Sequence, residues 1–499
     1  MIAGQHSSAT DRACASVSHL RGGGSLSSSM MSSVAFLFGP RPPERLAANK
    51  CPSKEKQNTC NRRIRDQKLR LPFWLSWLFR PGSRQTENFP EPAAAVMLQG
   101  FDWDLLSTRN ELYKLLHKNI PSLAAAGFNV IWYPPPSASA DSQGYLPGRW
   151  YEIPHKKELQ RAIEQGEKFG IVSMVDVVLN HRTGSKISNQ TFDWTRFEQP
   201  DWEEWAIVQN DWKCPPEEHL KYCPENCTCG GLDTGENACF APDIDHTSPR
   251  VQADIEAWLS WLQEAIGFHA FRFDNTKGYS GKFVAKYIDS AQPYMSVGEF
   301  FDTNRDLLES WIKESEGKAK TFDFGLRYKL KDAIHQDDYS HIMDTFFGPM
   351  IWYATDSSVS FLDNHDTAGL LKDRFGTDDQ IAMGYVFILT HPGVPCVFWQ
   401  DWFGSNQRTI RDLIALRQRA GITAHSSWKV EAATKGLYAG YVGDSLAVKL
   451  GGGEWSPNTG KATREWERGA SGKNWCVWIR SSSNDKDKLQ PLDGQRFVV

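Results

Sequence analysis

The run Ala270-Phe271-Arg272-Phe273-Asp274 is short, largely apolar and ends on a carboxylate. Two later runs end the same way: Met295-Ser296-Val297-Gly298-Glu299, and Val359-Ser360-Phe361-Leu362-Asp363 with Asn364-His365-Asp366 after it. A core strand gains nothing from an acid at its tip, because an unpaired buried charge costs far more than a lost packing contact. Parallel strands, by contrast, would bring the three tips together at one end of a sheet, where a barrel of alternating strands and helices carries its reactive groups.

Working outward, the same alternation starts near Ala93. Ala95–Phe101 reads as a first strand, and Glu111–Ala126 as a helix closed by Gly127; Asn129–Tyr133 is a second strand, stopped by three prolines. The helix Lys157–Phe169, with Gly170 at its end, and the strand Ile171–Leu179 complete the pattern of a parallel α/β unit. Between Asn180 and Ser248-Pro249 lies an aperiodic stretch of Trp, Cys, Gly, Asn and Asp that is too long for an ordinary loop. It is expected to be a separate small domain after the third strand. Ser248 as cap, Pro249 in the first turn and the spacing of Val251, Ile255, Trp258, Leu259, Leu262 and Ile266 signal the next helix.

Strands ending at Asp274 and Glu299, then Lys320–Phe324, the run ending near Asp363, and Cys396–Trp399 bring the candidates to eight. After a helix over Thr409–Ala420, Leu437–Tyr441, Ser445–Leu450 and Trp475–Ile479 read as a small antiparallel β domain. The expected architecture is therefore a (β/α)8 TIM barrel with a domain inserted after strand 3 and a C-terminal antiparallel β domain. The expected boundaries are a leader over 1–92, barrel segments over 93–180 and 247–420, the insertion over 181–246 and the β domain over 421–499.

The 499 residues hold ample apolar content for such a core, and a formal net charge of −4 argues against a nucleic-acid partner. Twenty tryptophans and fourteen tyrosines are a heavy aromatic load, suited to core packing and to stacking on sugar rings. Residues 1–70 are rich in Ser, Arg and Lys, and poor in acids. That composition fits an organelle transit peptide, hence a plastid, or equally a disordered extension. The apolar patches at 33–38 and 71–79 are too short for a bilayer, which takes about twenty residues, so no membrane partner is expected. Cys214, Cys223, Cys227, Cys229 and Cys239 crowd the insertion. Two disulfides, a thiolate zinc site and reduced thiols all remain open there.

Two carboxyl groups about 5–5.5 Å apart suit glycoside hydrolysis with retention, one attacking the anomeric carbon and the other protonating the leaving oxygen. Asp274 is the candidate nucleophile, and Arg272, on the same side of the pleat, would hold it ionised. Glu299 is the candidate acid and base, kept protonated by its neighbour's charge. Asp366 would stabilise the cationic transition state, with His365 and His181 as ligands of sugar hydroxyls. Singly, each residue has an ordinary reading as an ion pair, a solvated tip or a turn; the ordered set reverses those odds.

Asp176-Val177-Val178-Leu179-Asn180-His181, Gly267–Asp274, Gly298-Glu299 and Phe361–Asp366 resemble, in order and spacing, the four signature stretches of the α-amylase family of glycoside hydrolases. The plant-type branch is matched further by Gln99–Trp103, Trp132–Pro136, Gln143–Arg149, Ala241–His246, Asp274–Ser280 and Leu389–Cys396. The resemblance implies that Tyr145 lies under the sugar being cleaved with Trp103 nearby, and that Lys277 binds on the leaving-group side. It also implies one calcium ion (Ca2+) held by Asn180, Asp233, Asp243 and the carbonyls of Glu236 and Gly278, oxygen ligands of the kind calcium prefers. Asp233 has a plainer reading as a turn residue. Four departures stand out: a short segment at 151–157, an insertion rich in cysteine where the plant-type branch has few, Asn237 where an acid would serve additional calcium, and Phe300 where a tryptophan is common. The resemblance thus implies an endo-acting, monomeric hydrolase of α-1,4-glucosidic bonds in starch. A transglycosylase or debranching enzyme of the same clan, and a silent glucan-binding protein, are the rivals.

Overall fold

The computed structural model describes residues 89–184, 187–188, 191–192, 197–210, 230–237, 241–343, 348–457 and 466–480. Eight parallel strands close into a barrel: β1 (Met97–Gln99), β2 (Val130–Tyr133), β3 (Val172–Val177), β4 (Ala270–Phe273), β5 (Ser296–Gly298), β6 (Lys320–Phe322), β7 (Ser358–Phe361) and β8 (Val394–Val397). Each pairs with its neighbours in chain order and β8 returns to β1. The strands are buried almost throughout, because side chains fill the barrel on one face and helices cover the other. All eight expected strands are present.

The helices outside are α1 (Arg109–Ala125), α2 (Lys156–Lys168), α3 (Pro249–Trp261), α4 (Gly281–Ala291), α5 (Arg305–Glu314), α6 (Phe324–Gln336), α7 (Asp378–Thr390) and α8 (Gln407–Arg419). Gly127 and Gly170 follow α1 and α2 at φ of 98° and 70°, a left-handed stop that a side chain would resist. The Ser248 hydroxyl accepts from Val251 N at 3.5 Å, with Pro249 in the first turn. α3 then runs into a π turn over Leu262–Ile266 that Gly267 ends at φ 113°.

The register fixes the height of the tips. Asp176 faces Arg272 across β3 and β4, and Phe273 faces Gly298 across β4 and β5. Asp274 N then donates to Val177 O and Glu299 N to Phe273 O, so both acids leave the barrel at one level.

Within the insertion, bridges join His181 to Asp243 and Ile207 to Ile244, and Trp202, Ala206, Ile207 and Ile244 are continuous with the barrel core. Arg182 ties the two together: its buried guanidinium lies 4.7 Å from the rings of Trp150 and Trp202 and 4.9 Å from Phe197. The cysteine cluster at 214, 223, 227, 229 and 239 falls outside the described residues, as do residues 1–88 of the expected leader. Its last residues are packed: the Phe89 ring meets His269 edge-on at 4.9 Å, and the Tyr294 hydroxyl donates to Pro90 O at 2.5 Å. Among the described residues no helix is long and apolar enough to cross a membrane.

The C-terminal sheet has five antiparallel strands in the order β9-β10-β11-β13-β12: β9 (Trp428–Thr434), β10 (Leu437–Val442), β11 (Leu446–Leu450), β12 (Trp466–Gly472) and β13 (Trp475–Arg480). The sequence reading found the central three and missed β9 and β12. Both are edge strands, β9 half-buried and β12 mostly exposed, and each carries an irregularity, at Val430/Ala432 and Arg468/Ala470. In β12 this exposure removes the apolar alternation that marks a strand, whereas β9 keeps it in Trp428, Val430 and Ala432.

Candidate active site

Arg272 is the hub of the barrel's open end. It is fully buried on β4, and its Nη1 donates to Asp176 Oδ1 at 2.7 Å and to Asp274 Oδ1 at 2.6 Å. Its Nη2 lies 2.7 Å from Glu299 Oε1, an ion pair too poorly aligned to be a hydrogen bond. Asn275 N donates to Glu299 Oε2 at 3.2 Å. Asp366, in the turn after β7, sits with its Oδ2 3.6 Å from His365 Nε2. Asn364 Oδ1 holds the Asp366 backbone N–H at 3.0 Å.

Burial governs the protonation of these groups. It pushes Glu299 up to about 7, opposed by Arg272 and reinforced by the charge of Asp274. Asp366 is driven well above the usual carboxylate range by burial and then by Glu299. Asp274 is raised by burial too, but Arg272 opposes this by charge and by hydrogen bond. His181 is lowered to about 4 and His365 well below its usual value, both mainly by burial, so both rings are neutral near pH 7. The site thus combines a carboxylate held by a cation with an acid that keeps its proton near neutrality, the division of roles that glycosidic cleavage needs.

The aromatic residues form one wall. The rings of Tyr145 and His365 lie 5.1 Å apart at 8°, and those of Trp103 and Tyr145 6.4 Å apart at 2°. Gln99 Nε2 holds His365 Nδ1 at 3.1 Å. His181 Nε2 lies 2.7 Å from Tyr145 O and so braces the segment bearing that platform. Lys277 Nζ bridges Asp302 Oδ2 at 3.0 Å and Glu236 Oε1 at 3.1 Å. Asp363 belongs to a separate structural knot, accepting from Thr367 Oγ1 at 3.1 Å and Phe375 N at 3.0 Å beside Arg327 and Arg374.

Sequence reasoning gave Asp176 no role. Its carboxylate accepts from Arg272, from Trp132 Nε1 at 3.1 Å and from the Tyr145 hydroxyl at 3.0 Å, joining the cation hub to the aromatic wall. The signal was available: an acid inside the apolar run Val172–Leu179 needs a buried partner as much as the three tips do.

The oxygen cluster implied for calcium was tested on its own polar atoms. Asn180 Oδ1 is buried with no hydrogen-bond partner, while its Nδ2 donates to Asp243 Oδ1 at 2.8 Å. A Cβ on Gly278 would fall 1.7 Å from that orphaned oxygen, so the glycine backbone comes right up to it. Gly235 packs on the backbone of Lys277 and Gly278, and Glu236 N donates to Lys277 O at 2.8 Å. Asp233 caps its own turn, accepting from Thr234 N at 2.6 Å and Gly235 N at 3.1 Å, in keeping with its plainer reading. An unpaired buried oxygen beside a carboxylate and close-packed carbonyls fits a hard cation.

Comparison with known proteins bears on the whole arrangement. Residues 419–479 match the model of the alpha-amylase C-terminal beta-sheet domain. The chain is 32% identical over 412 residues to probable alpha-amylase 2 of Arabidopsis thaliana, covering 77% of this chain and 93% of that protein. It is 29% identical to the chloroplastic alpha-amylase 3 of the same plant, of which it spans 44%. Among solved structures, an alpha-amylase from Geobacillus thermoleovorans complexed with acarbose matches 80% of this chain and all of its own, at a TM-score of 0.58 and 15% identity. An Anoxybacillus alpha-amylase matches at a TM-score of 0.57 and 14% identity, which speaks for the fold alone.

Proposed function

The chain belongs to the α-amylase family of glycoside hydrolases, and from that premise we propose that it is an endo-acting α-amylase, cleaving internal α-1,4-glucosidic bonds of starch and related glucans with retention of configuration. The observation that carries this reading is the convergence of Asp274, Glu299 and Asp366 at the open end of the barrel around the buried guanidinium of Arg272.

In the proposed reaction Asp274 attacks the anomeric carbon while Glu299 gives its proton to the leaving glycosidic oxygen. Glu299 then takes a proton from water as that water releases the glycosyl group, microscopic reversibility returning both acids to their starting states. Asp274 and Glu299 share the Arg272 guanidinium, which keeps the two acids close together and supports retention over inversion. Asp366, whose ionised form a developing positive charge favours, would steady that charge on the sugar. Tyr145 and Trp103 offer faces to the sugar, His365 and His181 polar edges, and Lys277 a donor on the leaving-group side.

Asn180, Asp243 and Asp233, with the Glu236 and Gly278 carbonyls, would hold one calcium ion. Bound there, it would add structural cross-linking of insertion and barrel. We further propose that the protein works as a monomer in a plastid, on the acid-poor composition of residues 1–70 and the likeness to a chloroplastic relative. Sequencing the mature N-terminus from isolated plastids tests the location.

The test of the activity is incubation with soluble amylose, following iodine colour and reducing ends together. Colour lost well before most reducing ends appear, and abolished in Asp274→Asn, is the expected result. Chains lengthened without new reducing ends, or no change at all, would refute it.

A further inference from the structure

The loop that carries Tyr145 is built around a carboxylate that none of the roles above uses. Asp141 precedes the platform in Ser139-Ala140-Asp141-Ser142-Gln143-Gly144-Tyr145-Leu146. Its Oδ1 accepts from Gly144 N at 3.0 Å and from Leu146 N at 3.1 Å, and its Oδ2 accepts from Tyr145 N at 3.4 Å. The Ser139 hydroxyl donates to the same Oδ1 and accepts in turn from Leu146 N at 3.1 Å. Three consecutive amides therefore converge on one side chain, a nest in which each bond is strengthened by the carboxylate's charge.

The turn needs such an anchor. Gly144 stands at φ +101°, and a Cβ there would fall 2.2 Å from Arg109 Nη2. That guanidinium holds the loop from beneath, through Ser137 O at 3.3 Å and Ser142 O at 3.4 Å. At the far end the Tyr145 hydroxyl is tied to Asp176 at 3.0 Å and its carbonyl to His181 at 2.7 Å. The ring is thus fixed at its tip by the barrel and at its root by the loop, and Asp141 is what closes the loop.

We propose that Asp141 is a positioning residue for the reaction: by gathering the amides of Gly144, Tyr145 and Leu146 it sets the Tyr145 ring parallel to His365, in the pose that receives the sugar. The inference rests on the platform reading of Tyr145 given above. It makes Asp141 act on the platform through hydrogen bonds that its charge strengthens, although its Coulomb field also reaches Asp274. The stacking it supports is present before and during bond cleavage, so its loss falls on substrate binding more than on turnover.

The experiment is steady-state kinetics of the full chain on maltoheptaose, for Asp141→Ala, Asp141→Asn, Tyr145→Ala and the double variant Asp141→Ala/Tyr145→Ala. In Asp141→Ala, KM is expected to rise about tenfold with kcat lowered less than about threefold. In Asp141→Asn, whose amide oxygen can keep the bonds to Gly144 and Leu146, KM should stay within about threefold of the parent. In the double variant kcat/KM should match that of Tyr145→Ala, because the first change acts only through the second residue. Additive losses, or an Asn variant as impaired as the Ala variant, overturn the inference and leave the platform reading standing. An undiminished Tyr145→Ala overturns both. Should Asp141→Ala be too unstable to purify, Asp141→Ser takes its place in the cycle.

Discussion

Replacing Glu299 by Gln removes a proton that the folded protein holds more tightly than the unfolded chain does. Burial raises this carboxyl from the usual 4.5 to about 7, and the difference corresponds to at most about 3 kcal/mol. Below pH 4.5 both folded and unfolded states keep the proton, and Glu299 makes no charged demand on the fold. Between 4.5 and about 7 the unfolded chain releases its proton while the folded protein still holds it. Stability is therefore lost as pH rises through this window, and the loss is complete once the folded group ionises. Glutamine cannot ionise and escapes the loss. The Glu299→Gln variant should accordingly match the parent in stability near pH 4 and exceed it by up to about 3 kcal/mol near pH 8, while being inactive. Urea unfolding followed by tryptophan fluorescence at pH 4, 6 and 8 measures the gap. A gap that does not widen with pH would refute the burial argument, and with it the reason for assigning the proton to this residue.

The same protonation sets a kinetic limit: kcat/KM on amylose should fall on the alkaline side with a midpoint near 7, because an ionised Glu299 has no proton to donate. A pH profile flat to pH 9 would oppose it. Asp274→Asn and Asp366→Asn should each lower kcat by at least about a thousandfold. Both should stay folded, since Arg272 keeps Asp176 as a partner in either variant, and circular dichroism with reducing-end release checks both halves. Chelation should lower the melting temperature, since an ion bound only by the native state stabilises it by mass action. In Gly278→Ala, whose new methyl would collide with Asn180 Oδ1 at 1.7 Å, the chelator should make little further difference.

Much of the site was legible because its acids stand where a strand has no use for them. Asp274 and Glu299 each close an apolar run, and that anomaly pointed to the barrel's open end before any contact was known. Asp176 escaped notice for the converse reason: it lies within its strand, so its three donors, which come from β2, β4 and the Tyr145 loop, were invisible along the chain. Asp141 escaped because an acid in a Ser-rich turn is ordinary. Its function depends on three amides turning inward, which the sequence does not state. The edge strand β12 was missed because exposure had erased its pattern.

The sequence by itself determined the alternation of strands and helices, the place where that alternation breaks, and the identity of the acids, since period and residue type are properties of neighbours along the chain. Only the tertiary structure decided which acid does what. Closure of the barrel brings Asp176, Asp274 and Glu299 onto one guanidinium; removal of water raises both Glu299 and Asp274, Arg272 opposes the rise in both, and the charge of Asp274 adds to it at Glu299, which stands at about 7. Charge and burial act through space, with energies set by distance and dielectric, so three carboxylates alike in sequence acquire their separate tasks only once the fold has placed them around Arg272.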